Sequence, residues 1–61
     1  MRNVQYETDG AKLIITIDTT VELGPSRSGK TIIIASTEGN QQIAVGDQLV
    51  TLGLNLYRKR T

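Results

Sequence analysis

The 61-residue sequence contains no cysteine and no histidine. Without cysteine there is no disulfide to stabilise the domain, and without either residue the two best ligands for zinc-type metals are missing. A chain of about 60 residues is only marginally stable alone, because it buries about 60% of the surface that its unfolded form exposes. Another protein chain is therefore the remaining source of stability, and we expect no metal, cofactor or bound nucleotide.

Phenylalanine and tryptophan are also absent, and the only aromatic residues are Tyr6 and Tyr57. No apolar run approaches the roughly 18 residues that a membrane-spanning helix needs. The opening segment MRNVQYETDG lacks the apolar stretch of a signal peptide. We therefore expect a soluble, cytoplasmic protein with no membrane partner.

Alternation and turn residues predict strands. Asp9-Gly10 lies between two strand-like runs and is typical of a two-residue hairpin loop. In that register Tyr6 faces Leu13 on an apolar side, and Glu7 faces Lys12 on the other. The pairing predicts that Tyr6 lies in the core.

The second half of the chain continues this pattern. Residues 31–36, TIIIAS, are typical of a buried strand. Turns at Gly39-Asn40 and Gly46-Asp47 would then place Ile34 opposite Val45 and Ile43 opposite Val50. Residues 48–59 alternate with period two and predict one last strand.

These patterns predict an all-β fold, either a small antiparallel meander sheet or a partly open barrel, of about five strands. We expect one domain over residues 1–61, with a flexible loop at about 19–30 and a basic tail at 58–61. Two of the predicted strands are apolar on both faces. We therefore expect a homodimer in which Ile14 and Ile33 form the interface.

Residues 24–31, GPSRSGKT, match the Walker A expression in full and resemble the phosphate-binding loop of the P-loop NTPases. In that family a helix follows the loop, within a parallel sheet that has crossover helices. Here Thr31 is followed by Ile-Ile-Ile, a β-branched run that favours a strand. We interpret the match as a product of turn composition, and we expect no nucleotide hydrolysis.

The charges divide unevenly along the chain, although the net charge is only +1. Residues 1–26 carry two cations and four anions, whereas residues 27–61 carry five cations and two anions. The loop offers cations, hydroxyls and free backbone N–H groups, all of which bind phosphate. The candidate phosphate-binding residues are two loop cations, the cations of the tail, and an aromatic ring that stacks on a base: Arg27, Lys30, Arg58, Lys59, Arg60 and Tyr57.

Catalysis has little support in the sequence. The six carboxylates are scattered, and the serines have no candidate base. Asp18 and Glu22 are candidates for a divalent-ion site, but surface carboxylates near a loop are usually solvated. The leading hypothesis is a non-enzymatic binding module that contacts the nucleic-acid backbone through the loop and tail. The alternative is a structural or protein-interaction module that acts through homo-oligomerisation.

Overall fold

The computed structural model describes residues 1–60, and within them the chain forms antiparallel strands and no helix. Thr61, the last residue of the predicted tail, lies outside the described residues. The strands are β1 (Gln5–Asp9), β2 (Lys12–Thr16), β3 (Gly24–Pro25), β4 (Thr31–Ser36), β5 (Gln41–Val45), β6 (Gln48–Leu52) and β7 (Asn55–Lys59). They form three small sheets, ordered β1–β2, β3–β4–β7 and β5–β6, and none is a closed barrel. The predicted all-β antiparallel class is confirmed.

Strands β1 and β2 form the predicted hairpin, but its loop is Gly10-Ala11. Gly10 has a φ of 60°, which glycine adopts without strain at the first position of a type II′ loop. Tyr6 is therefore opposite Ile15 rather than Leu13, and Asp9 rather than Glu7 is opposite Lys12. Because each partner moves by two residues, every side chain keeps its predicted face.

The prediction that Tyr6 is part of the core is wrong, because its side chain is 43% exposed. The strand that carries it, β1, is exposed at all five positions. Leu13 and Ile15 on β2 are half-buried instead. The apolar face of this hairpin is thus only partly covered by the rest of the chain.

Strands β4 to β7 form one long, bent antiparallel ribbon. One arm is β4 followed by β5, the other is β6 followed by β7, and the chain reverses at Gly46-Asp47. The predicted register of this hairpin is confirmed, with Ile43 opposite Val50. The predicted reversal at Gly39-Asn40 is wrong, because β4 pairs with β7 and not with β5.

Between the two halves of the ribbon the arms differ in length. Four residues, 37–40, separate β4 from β5, whereas only Gly53 and Leu54 separate β6 from β7. The longer arm absorbs the difference as a bend, in which Glu38 and Gly39 have φ values of 56° and 96°. The single strand predicted over residues 48–59 is therefore divided into two strands that belong to different sheets.

Thr37 holds this bend together. Its backbone N–H donates to the Leu54 carbonyl, and its hydroxyl oxygen accepts from the Leu54 N–H, each at 3.0 Å. The same hydroxyl donates to the Gly39 carbonyl at 2.5 Å, and Thr37 is only 1% exposed. The hydroxyl therefore replaces a backbone acceptor at the point where the regular ladder stops.

A second side chain fastens the N-terminal segment to the ribbon. The register of β4 against β7 shifts between Ile33 and Ala35. The Asn3 amide donates to the Ile34 carbonyl at this irregularity, at 2.8 Å, and to the Asp18 carbonyl at 2.9 Å. Asn3 thus ties the segment before β1 and the segment after β2 to the middle of β4.

The core is small and the molecule is elongated. Among the described residues only four hydrophobic side chains are buried: Val4, Ile34, Ala35 and Ile43. The dimensions are 43 × 20 × 13 Å. The radius of gyration is 13.2 Å, whereas a compact domain of this length has one of about 10.5 Å. The chain is therefore more extended than a compact domain of its length, and few side chains are buried in its core.

Replacing Thr37 by valine should lower the free energy of unfolding by about 1–3 kcal/mol, because the part-buried Leu54 N–H loses its acceptor. Urea denaturation at a fixed protein concentration measures the change. The matched control is Thr8→Val, at an exposed strand threonine, which should alter stability by less than about 0.5 kcal/mol. Equal effects of the two substitutions would contradict the role given to Thr37.

Candidate nucleic-acid interface

The two basic clusters of the sequence meet at one end of the ribbon. Antiparallel pairing places Thr31, at the start of β4, opposite Lys59, at the end of β7. The Arg60 N–H donates to the Lys30 carbonyl at 3.2 Å, and the Arg60 guanidinium donates to the Gly29 carbonyl at 3.4 Å. We call this region the basic end; its exposed cations are Arg27, Lys30, Arg58, Lys59 and Arg60, of which Arg58 is in an ion pair.

The loop at the basic end is closed by its own hydrogen bonds. The Ser26 N–H donates to the Thr31 carbonyl at 2.8 Å, and the Gly29 N–H donates to the Ser26 carbonyl at 2.9 Å. The Lys30 N–H donates to the Ser28 hydroxyl at 3.3 Å. Three of the backbone N–H groups that were expected to be free are therefore in use. A phosphate at this loop would be held mainly by cationic side chains.

The loop does not have the surroundings of a P-loop. Strand β4 begins at Thr31, the position at which a P-loop NTPase opens a helix. The two-residue strand β3, Gly24–Pro25, enters the loop and pairs antiparallel with β4. The match to the Walker A expression thus lies in a connection between antiparallel strands.

Arg58 and Tyr57 lie on opposite faces of β7, because neighbouring strand residues point in opposite directions. The Arg58 guanidinium forms an ion pair with the Glu22 carboxylate, so its charge is partly neutralised. The Tyr57 side chain is 49% exposed and shares its face with Lys59. Within residues 1–60, Arg58 is therefore the predicted phosphate-binding cation that is paired with a carboxylate.

The two predicted interface residues lie in different sheets. Ile33 is half-buried in the sheet β3–β4–β7, where it lies opposite Tyr57 and Gly24. Ile14 belongs to the hairpin β1–β2, opposite Glu7, and is 43% exposed. The two residues therefore belong to different sheets, and an interface between copies that includes both stays a prediction.

The carboxylates considered for a divalent ion have other partners. Asp18 Oδ1 accepts hydrogen bonds from the Thr20 hydroxyl at 2.6 Å and from the Thr20 N–H at 2.9 Å. These bonds, the hydroxyl first, stabilise the charged form and hold the pKa of the Asp18 carboxyl below its usual value. Glu22 is paired with Arg58. Residues 1–60 contain no group of three or more acidic side chains placed to hold a metal ion.

No helix long and apolar enough to span a membrane occurs in the part of the chain that the structure describes. Comparison with known protein families, curated proteins and solved structures finds no match to this chain. Function is therefore inferred from the geometry and charge of the basic end.

Sequence reasoning did not identify Glu22 as the partner of Arg58. The two residues are far apart in the chain and become neighbours only because β3 and β7 both flank β4. Their opposite charges alone do not single them out among the other ions of the sequence. Only the strand order β3–β4–β7 identifies Glu22 as the partner of Arg58.

The Thr20→Val variant should raise the pKa of Asp18 toward that of a free aspartate, because the hydroxyl donor is lost. Since folding lowers this pKa, the contribution to stability is present above the unfolded pKa and is lost as pH falls below about 4. Carboxyl-detected NMR titration measures the shift. Thr20→Ser, which keeps the hydroxyl, should keep the low value. A pKa unchanged by valine would contradict the assignment.

Proposed function

We propose that the protein binds the phosphate backbone of nucleic acid through its basic end. The observation that carries the proposal is the contact of Arg60 with the carbonyl groups of Gly29 and Lys30. This contact gathers two cations from the loop and three from the chain after Tyr57 at one place. Lysine and arginine side chains that neutralise successive phosphates release condensed counterions, which favours binding.

The distribution of acidic residues supports the same site. Asp9 and Asp47 lie at the loops of the hairpins β1–β2 and β5–β6. A Cβ at Gly46 would lie 3.7 Å from the Gly10 carbonyl oxygen, so these two loops are neighbours. They lie at the far end of the ribbon from the basic end. The net charge of +1 therefore conceals a separation of charge along the molecule.

Tyr57 adds a contact that favours single strands. Its half-exposed ring shares a face of β7 with Lys59. An unpaired base stacks on such a ring while the neighbouring phosphate meets the ammonium group, and stacking contributes about 1–3 kcal/mol per base. Bases inside a duplex do not offer their faces. We therefore propose single-stranded nucleic acid as the preferred ligand.

Self-association is the second candidate function. It is favoured by a different observation, the exposure of large apolar side chains outside the basic end, among them Ile14 and Leu49. A non-enzymatic module can act through assembly and through nucleic-acid binding at once, because the two surfaces are separate.

Fluorescence anisotropy with labelled single-stranded DNA, duplex DNA and RNA at two salt concentrations tests the proposed binding. We expect affinity that falls steeply with salt. Lys30→Gln and Arg60→Gln should each lower the slope of log affinity against log salt by about 0.7 on a single strand. Lys12→Gln, at the far hairpin opposite Asp9, is the matched control and should bind as the parent chain does. Absence of binding at low salt would refute the proposal.

The ion pair between Glu22 and Arg58 predicts a substitution that strengthens binding instead of weakening it. Glu22→Gln removes the internal partner of Arg58, so the guanidinium becomes available at the basic end, on the face of β7 opposite Lys59. Affinity for the single strand should rise severalfold, and its salt slope should steepen by about 0.7. The control is Glu38→Gln, which removes the partner of Arg2, 3.9 Å away, outside the basic end. Equal gains in both variants would indicate a general effect of charge rather than release of Arg58.

A further inference from the structure

The hairpin β5–β6 has open edges that carry no protecting charge. From Gly39 to Tyr57 the only charged residue is Asp47, in the hairpin loop. Proteins usually protect an edge strand with lysine, inward charges, proline or a bulge, because its unpaired N–H and C=O groups attract other strands. Strands β5 and β6 have none of these, and their register is regular throughout. No other described strand covers either edge.

The edge of β6 is the more apolar of the two. Val45 and Gln48 close the two-residue loop and form a hydrogen-bonded pair. From there, hydrogen-bonded and non-hydrogen-bonded residue pairs alternate along the two strands. Leu49 and Thr51 therefore direct their N–H and C=O groups away from β5. The Leu49 side chain is 67% exposed, more than any other large apolar residue described. The corresponding residues of β5 are Gln42 and Ala44, which offer less apolar area.

The exposed area of the monomer leaves room for one more interface. It is 4615 Å², whereas a compact monomer of 6.7 kDa exposes about 3,900 Å². The excess, about 700 Å², is close to the roughly 800 Å² that each partner contributes to a standard protein interface. One interface of standard size would therefore cover an area about equal to the surplus.

We propose that a second copy of this chain pairs antiparallel with the free edge of β6 about a twofold axis at Val50. In this register Leu49 of each copy lies opposite Thr51 of the other. The outward-directed N–H and C=O groups of both residues then form hydrogen bonds between the two copies. The full length of β6 is paired, because Gln48 lies opposite Leu52 of the other copy. The result is one four-stranded sheet, and the contact closes as a twofold dimer because each copy presents the same edge.

Sedimentation equilibrium without nucleic acid tests the dimer independently of the proposed binding function. The parent chain should sediment at twice 6.7 kDa. Thr51→Pro removes an outward N–H without loss of a bond to β5, and Leu49→Lys places a charge on the edge. Both variants should be monomers with an unchanged β-sheet circular dichroism spectrum. Ile14→Lys, at an exposed apolar residue of another sheet, should remain a dimer.

Cross-linking supplies a positive test in a chain that has no cysteine of its own. Val50→Cys places two thiols across the axis, within the range of Cα distances of about 4.4–6.8 Å that a disulfide spans. Oxidation should produce a covalent dimer. Leu52→Cys is the matched control, because its two copies would be offset by about 13 Å along the strands, and it should remain a single chain.

Three results would overturn the proposal. The first is a parent chain that is monomeric at high concentration. The second is a dimer that persists in both folded edge variants but dissociates in Ile14→Lys, which would place the interface on the hairpin β1–β2. The third is equal cross-linking at positions 50 and 52, which would exclude the register about Val50.

Discussion

The hydrogen bonds between Thr37 and Leu54 determine how the two halves of the ribbon are joined. Four residues of one arm face two of the other at this point, so a regular ladder cannot continue through it. The Thr37 hydroxyl accepts a hydrogen bond from the Leu54 N–H and so satisfies a part-buried donor that would cost about 1–3 kcal/mol if left without an acceptor. Because β7 is thereby kept beside β4, Arg60 reaches the loop at Gly29. The basic end depends on this junction.

Local pairing could be predicted from the sequence, and long-range pairing could not. The hairpin at Gly46-Asp47 was predicted in the correct register because its loop and its flanking apolar residues agree. Gly39-Asn40 has an equally good turn signal, yet there the chain only bends. The deciding difference is that Thr37 bonds to Leu54, which is distant in the chain, and no periodicity reports such a bond. In the first hairpin, the loops Asp9-Gly10 and Gly10-Ala11 both satisfy turn chemistry, and the faces of the side chains do not distinguish them.

The composition of the candidate site was readable from the sequence, but its assembly was not. The clusters at residues 27–30 and 58–60 stand out as charge, whereas their meeting requires the pairing of β4 with β7. The same pairing places Arg58 near Glu22 and so removes one expected contact. Backbone N–H groups of the loop were expected to be free, but a loop this short closes on its own carbonyl and hydroxyl groups. The site therefore relies on side-chain charge more than its resemblance to a phosphate-binding loop implied.

The segregation of charge along the ribbon reconciles the two proposed functions. Two copies that met at their basic ends would bring like charges together, whereas the edge of β6 carries none. Antiparallel pairing at β6 places the two basic ends at opposite ends of the dimer, farther apart than the screening length of about 8–10 Å at ordinary salt. Their mutual repulsion then costs little. Each basic end remains open to phosphate, and a single strand long enough to reach both would bind the second end at a high effective concentration. Under the two proposals, an uncharged edge far from the cations is thus the arrangement that would let one small chain both assemble and hold a polyanion.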